Sequence, residues 1–140
     1  MRALAMVPLM VALACLVAGI FGMVHNQVSF TMGPSYFYDL KFAQFGVDGR
    51  EAPRLGAAIV GWRASWWMGA FLGLPMALAA LRHDAPLRAF AIGVAWAIGV
   101  TTLCSALGIA AGYWLGEDRI ADLVRLPRQK TGFYIAGMMH

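Results

Sequence analysis

Few side chains in this sequence can hold a metal or move a proton. The histidines are His25, His83 and His140, and imidazole is both the commonest metal ligand and the side chain whose charge changes near neutral pH. Gly22-Met23-Val24-His25 is echoed by Gly137-Met138-Met139-His140. If three helices alternate in direction, His25 and His140 fall on one side and His83 on the other. Two convergent imidazoles are the start of a metal or haem site, with Asp39 and Asp48 on the same side as candidate further ligands. The competing expectation is interfacial histidines bonded to headgroups or backbone. On balance no cofactor is predicted, and a metal or haem on His25 and His140 is kept as the alternative.

Arg63 is the charge expected at membrane depth, where an ionised side chain needs a partner or a route to water. Asp39, Asp48 and Glu51 are candidate counterions; snorkelling past Trp62 and Trp66 to the headgroups is the other route. Ser65, Thr101, Thr102 and Ser105 are hydroxyls without a nearby base, expected to bond to helix carbonyls. No GxSxG, HExxH, CxxC or P-loop pattern occurs, so catalytic residues are not predicted and an enzyme is not expected. The nine methionines are spread through apolar runs as filler. Cys15 and Cys104 lie in such runs too, which supports neither a disulfide nor a thiolate metal site.

The elements that must carry these residues are transmembrane helices. The 140 residues are 61% hydrophobic and only 13% charged, a balance that cannot solvate a soluble domain. The net charge of +4 comes without a dense Lys/Arg run, so a membrane surface is the expected partner and nucleic acid is not. A crossing needs about twenty apolar residues. The expected fold class is all-α, a single polytopic transmembrane helical bundle over 1–140, with crossings at about 3–24, 57–81 and 88–115. The first follows Arg2 and resembles a secretory signal, but its length favours a retained signal anchor over cleavage. The short link 82–88 forces the second and third into an antiparallel hairpin, with Asp84 as cap and Pro86 in the first turn. Gly69 and Gly73, and likewise Gly108 and Gly112, are spaced four apart for close helix packing. Pro75 is expected to kink the second helix. Trp62, Trp66, Trp67 and Trp114 suit an aromatic belt, and Trp96 is expected to be buried against a neighbour.

Residues 25–54 form an aromatic-rich interfacial loop: Phe30, Tyr36, Phe37, Tyr38, Phe42 and Phe45 crowd into it. Gly33-Pro34-Ser35 is a helix-start signal, and Tyr38, Phe42 and Phe45 would share one face of a short interfacial helix. A polar tail, 116–130, has acids first and bases last, with Ile120, Leu123, Val124 and Leu126 giving an amphipathic turn or two before Pro127. Residues 131–140 are apolar again and read as the start of a further helix.

The stretch from Met23 through His25-Asn26-Gln27-Val28-Ser29-Phe30, then Pro34-Ser35-Tyr36-Phe37 and Lys41-Phe42-Ala43-Gln44-Phe45-Gly46, resembles a family of small, uncharacterised bacterial integral membrane proteins labelled signal-peptide-containing. Residues 54–62 and Trp66-Trp67-Met68-Gly69 fit the same pattern, so the resemblance covers most of the chain. It implies that Met138-Met139-His140 opens a fourth transmembrane helix, missing here, as a second Met-His-Asn-x-Ser-Tyr stretch does in that family. It assigns no activity.

Basic-residue counting puts the loop and tail in the cytoplasm, whereas the signal-like first helix puts the N-terminus there. The compact Arg82 to Arg88 link favours a cytoplasmic N-terminus with the aromatic loop outside. The expected setting is a bacterial inner membrane. The expected role is a non-enzymatic scaffold or accessory subunit, partnered by the bilayer and by a second copy or other membrane proteins. The alternatives are the His25/His140 metal or haem protein and a transporter subunit using Arg63.

Overall fold

The computed structural model describes residues 4–124 and 131–140. The described chain is all-helical. Helix α1 spans Met6–Met32 and runs on through His25 without a loop, so the aromatic segment starts eight residues later than the sequence suggests. The reason is tertiary. Asn26 Nδ2 donates to the Ala57 carbonyl at 3.1 Å and Gln27 Nε2 to the Arg54 carbonyl at 3.0 Å, while Arg54 Nη1 donates to Gln27 O and to Thr31 Oγ1. Polar side chains that suggest a loop are thus satisfied by a neighbouring helix, and the backbone stays helical. Gly33 ends it, extended at φ −152°, with its N–H on Ser29 O.

Pro34 then opens a short helical segment, as a proline in a first turn can. It comprises α2, Pro34–Tyr36, a π-helical turn, Phe37–Lys41, and α3, Phe42–Phe45. Gly46 stops it in the left-handed region, φ +60°, with Val47 N–H reaching back to Phe42 O at 2.9 Å, the bond that closes a helix on a left-handed residue. Helix α4, Pro53–Ala80, contains Pro75. Helix α5, Pro86–Val124, begins one residue after Ala85, whose carbonyl takes the Ala89 N–H; Ala85, not Asp84, holds the capping position. The expected polar tail continues this helix as far as Val124, while its end, with Leu126 and Pro127, lies outside the described residues. Helix α6 is Thr131–Met138. Two helical stretches, Met6–Met32 and Pro86–Trp114, are long and apolar enough to cross a membrane.

Helices α1 and α4 pack antiparallel along their whole length. Glycines make this approach: a Cβ on Gly61 would fall on the Gly22 carbonyl oxygen, one on Gly69 on the Ala14 carbonyl oxygen, and one on Gly73 would stand 2.6 Å from Ala14 Cβ. Side-chain cores close both ends of the pair. Met10, Ala14, Ala77, Ala80 and Phe90 form one; Phe30, Tyr36, Phe37, Phe42, Ala57 and Val60 form the other, joined by Ala136. Helix α5 returns antiparallel to α4, and α6 lies between α5 and the aromatic segment. A Cβ on Gly108 would meet the Met138 carbonyl and one on Gly112 would stand 3.0 Å from Ile135 Cγ1.

One tryptophan expectation is corrected. Trp96 is 71% exposed on α5, because α4 lies along the opposite side of that helix. The Trp62 ring lies over Gly19, occupying the space a side chain there would fill.

Candidate functional site at the histidine pair

The continuation of α1 past Val24 carries His25 and Asn26 and, one turn further on, Ser29, and the end of α6 brings His140 against them. The two imidazole centroids are 4.9 Å apart with ring planes at 83°. Ser29 Oγ and His140 Nε2 share a hydrogen bond of 3.1 Å. Tyr36 stacks on the other side of His140 at 5.6 Å, and Phe21 stacks on His25 at 5.8 Å. The buried polar side chains of the described residues, Asn26, Ser29 and Ser105, all gather here: Ser105 Oγ donates to the Met139 carbonyl at 3.3 Å and so ties α5 to the end of α6.

His25, Asn26, Ser105 and His140 border a cavity of about 280 Å³ lined also by Lys41, Ser65, Thr101 and Met68. The Lys41 ammonium lies 5.3 Å from the Tyr36 ring centroid and 5.6 Å from that of Phe45, and burial lowers its pKa. Burial raises that of the Tyr36 hydroxyl. His140 keeps much of its residue surface open, but its ring is wedged between Tyr36, His25 and Ser29, and the ring's surroundings govern its protonation. Burial first, then the charges of His25 and Lys41, bring its pKa down to about 4. The imidazole is therefore neutral at pH 7.

Asp39 and Asp48 do not line this cavity. Asp48 Oδ1 instead accepts the Arg50 N–H at 3.0 Å. Among the described residues no group of three or more His, Cys, Asp or Glu side chains converges. Arg63 Nη1 donates to the Phe45 carbonyl at 2.6 Å. It thereby caps the C-terminal end of the aromatic segment, where the partial negative charge of a helix end favours a cation. Thr101 and Thr102 donate to the Ala97 and Ile98 carbonyls, both at 2.8 Å. Tyr36, Phe37 and Phe42 are buried, Tyr38 is exposed, and Phe45 is partly buried against the same core.

No protein-family model, curated protein or solved structure matches the chain. The site therefore has to be read from its own chemistry.

Sequence reasoning overlooked Lys41, Ser29 and the α1 glycines. Lys41 is one of two lysines in the chain, and its place in a block dense with aromatic residues was the available signal. Gly19 and Gly22 stand three apart, also close enough to share a helix face, whereas the pairs on α4 and α5 are spaced four apart.

Proposed function

We propose that the chain is a non-enzymatic scaffold or accessory subunit of a bacterial inner membrane, of the kind its His25 to Gly46 block resembles. It has three crossings, α1, α4 and α5. The antiparallel fit of α4 along α1 supports the count: if α1 crosses, a helix lying along its whole length crosses with it. The N-terminus is cytoplasmic and the aromatic segment external.

The observation that carries the accessory role is the open face of α5. Trp96, Val100, Leu103 and Leu107 are all exposed and stand at intervals of four, three and four residues, one stripe along a helix. The inner faces of α1 and α4 have each other as close-packed partners; this stripe, like the outward faces of α1 and α4, has none within the described residues. A second membrane helix, from another copy or another protein, fits it.

The test is a photoreactive residue at Leu103, irradiated in native membranes. A discrete protein adduct is expected there and not from Leu9, on the outer face of α1. Lipid adducts alone from both positions would remove the accessory reading.

The metal reading draws on the approach of His25 to His140, although Lys41 places a positive charge in the same cavity. The transporter reading rests on Arg63, one of whose donors is used at the Phe45 carbonyl.

A further inference from the structure

The histidine cavity does not end at its polar groups. It shares Phe21, Ser65, Met68 and Thr101 with a second cavity of about 220 Å³ that runs down between α1, α4 and α5. That groove is walled by apolar side chains, among them Val17, Leu72, Met76, Val94 and Ile98. The two together make one site with a polar mouth and an apolar stem. From His25 at the mouth to Ala14 at the far wall is eleven residues of α1, about 16 Å at 1.5 Å per residue. That depth is close to half of a hydrocarbon core about 30 Å thick. Mouth and stem together therefore have the reach of one leaflet.

The mouth is donor-rich. Lys41 brings a formal positive charge, Ser65 a hydroxyl, and His25 and His140 imidazole nitrogens, while no carboxylate side chain lines either cavity. Phe21, Tyr36 and Phe45 pack around these groups, and partial desolvation strengthens a bond between an ammonium and an anion. One ammonium matches a singly charged head. A phosphate monoester, at about −1.5 to −2, would leave charge uncompensated, since His140 adds none at neutral pH.

We infer that this site binds a long-chain carboxylate, a fatty acid whose head meets Lys41 and the histidine pair and whose hydrocarbon chain lies in the groove between α1, α4 and α5. The site rests on the membrane reading of these helices but not on the accessory role of the open α5 face. Binding of this kind would put the chain's occupant, and not only its helices, in contact with α5.

The test uses the full chain in nanodiscs of neutral phosphatidylcholine, with empty nanodiscs as the partition control and labelled palmitate as the probe. Saturable binding near one palmitate per chain is expected, with hexadecanol at least about tenfold weaker, as befits loss of a charged hydrogen bond. Lys41→Gln is expected to weaken palmitate by a similar factor, Lys41→Arg to retain it, and Ala97→Phe, which fills the groove, to weaken it without touching the mouth. Equal binding of hexadecanol and palmitate would overturn the proposal on the unaltered chain, whatever the variants do. Tighter binding of hexadecyl phosphate than of palmitate would overturn the carboxylate head, and displacement of palmitate by acetate would overturn the apolar stem. Retention of the chain in carbonate-washed membranes tests the membrane reading separately, so loss of palmitate binding and loss of membrane insertion are distinguishable.

Discussion

A proton on His140 would have to sit beside the Lys41 ammonium and inside an aromatic wall, so the fold holds this imidazole neutral. With a folded pKa of about 4 against an ordinary value of 6.5, the unfolded or undocked ring takes up a proton first on acidification. Docking of α6 is thus fully stabilised above about pH 6.5, weakens as pH falls from there toward 4, and changes no further below that. Titration of the His140 ring by NMR in micelles should give a midpoint near 4, and Lys41→Gln should raise it by removing a neighbouring positive charge. A midpoint at the ordinary value in the unaltered chain would mean that the ring is solvated and the pocket is not closed around it. The sequence singled out His25 and His140 from their echoing tetrapeptides. Ser29 and Lys41 were not visible as members of the site, because they lie on different helical segments that only α6 docking and the turn at Gly33 bring to one place.

At the scale of elements, backbone contact between α1 and α4 is the feature most sensitive to substitution. A Cβ on Gly61 lands on the Gly22 backbone, which cannot rotate away as a side chain could, so Gly61→Ala must push the helices apart. Overpacking of this sort costs about 1–3 kcal/mol. Gly99 on α5 has nothing within 4 Å of the place a Cβ would take, so Gly99→Ala should be neutral or stabilising by up to about 1 kcal/mol through helix propensity. Reversible unfolding in mixed micelles separates the two; similar effects for both variants would contradict the close approach at Gly22. The Gly69 and Gly73 pair was readable from spacing. Its partner face on α1 was not, since which backbone a glycine meets depends on helix register, and register is set by Asn26, Gln27 and Arg54 across the interface.

For the whole molecule, the proposed three crossings place the Arg82 to Arg88 link and the aromatic segment on opposite sides of the membrane. In a background of Cys15→Ala and Cys104→Ala, a cysteine at Asp48 should react with an impermeant maleimide on intact cells. One at His83 should react only after permeabilisation. Labelling of both from the same side would remove the three-crossing arrangement, while the reverse pattern would keep it and invert its orientation.

The long apolar runs, the helix-start signals at Gly33-Pro34 and Pro86, and the crowding of aromatics after the first helix determined by themselves an all-helical chain with membrane-length helices. Local composition is sufficient for that, because hydropathy and helix-stop residues act within a few turns. The end of α1 was not decided locally. His25, Asn26 and Gln27 read as loop until the Ala57 and Arg54 carbonyls supply their partners, and a polar residue with a satisfied side chain does not need to leave a helix. The bond that Arg63 makes was decided the same way, by a carbonyl from a distant segment and not by a carboxylate. So was the cavity, because its walls come from five segments of the chain, and no one of them contains it.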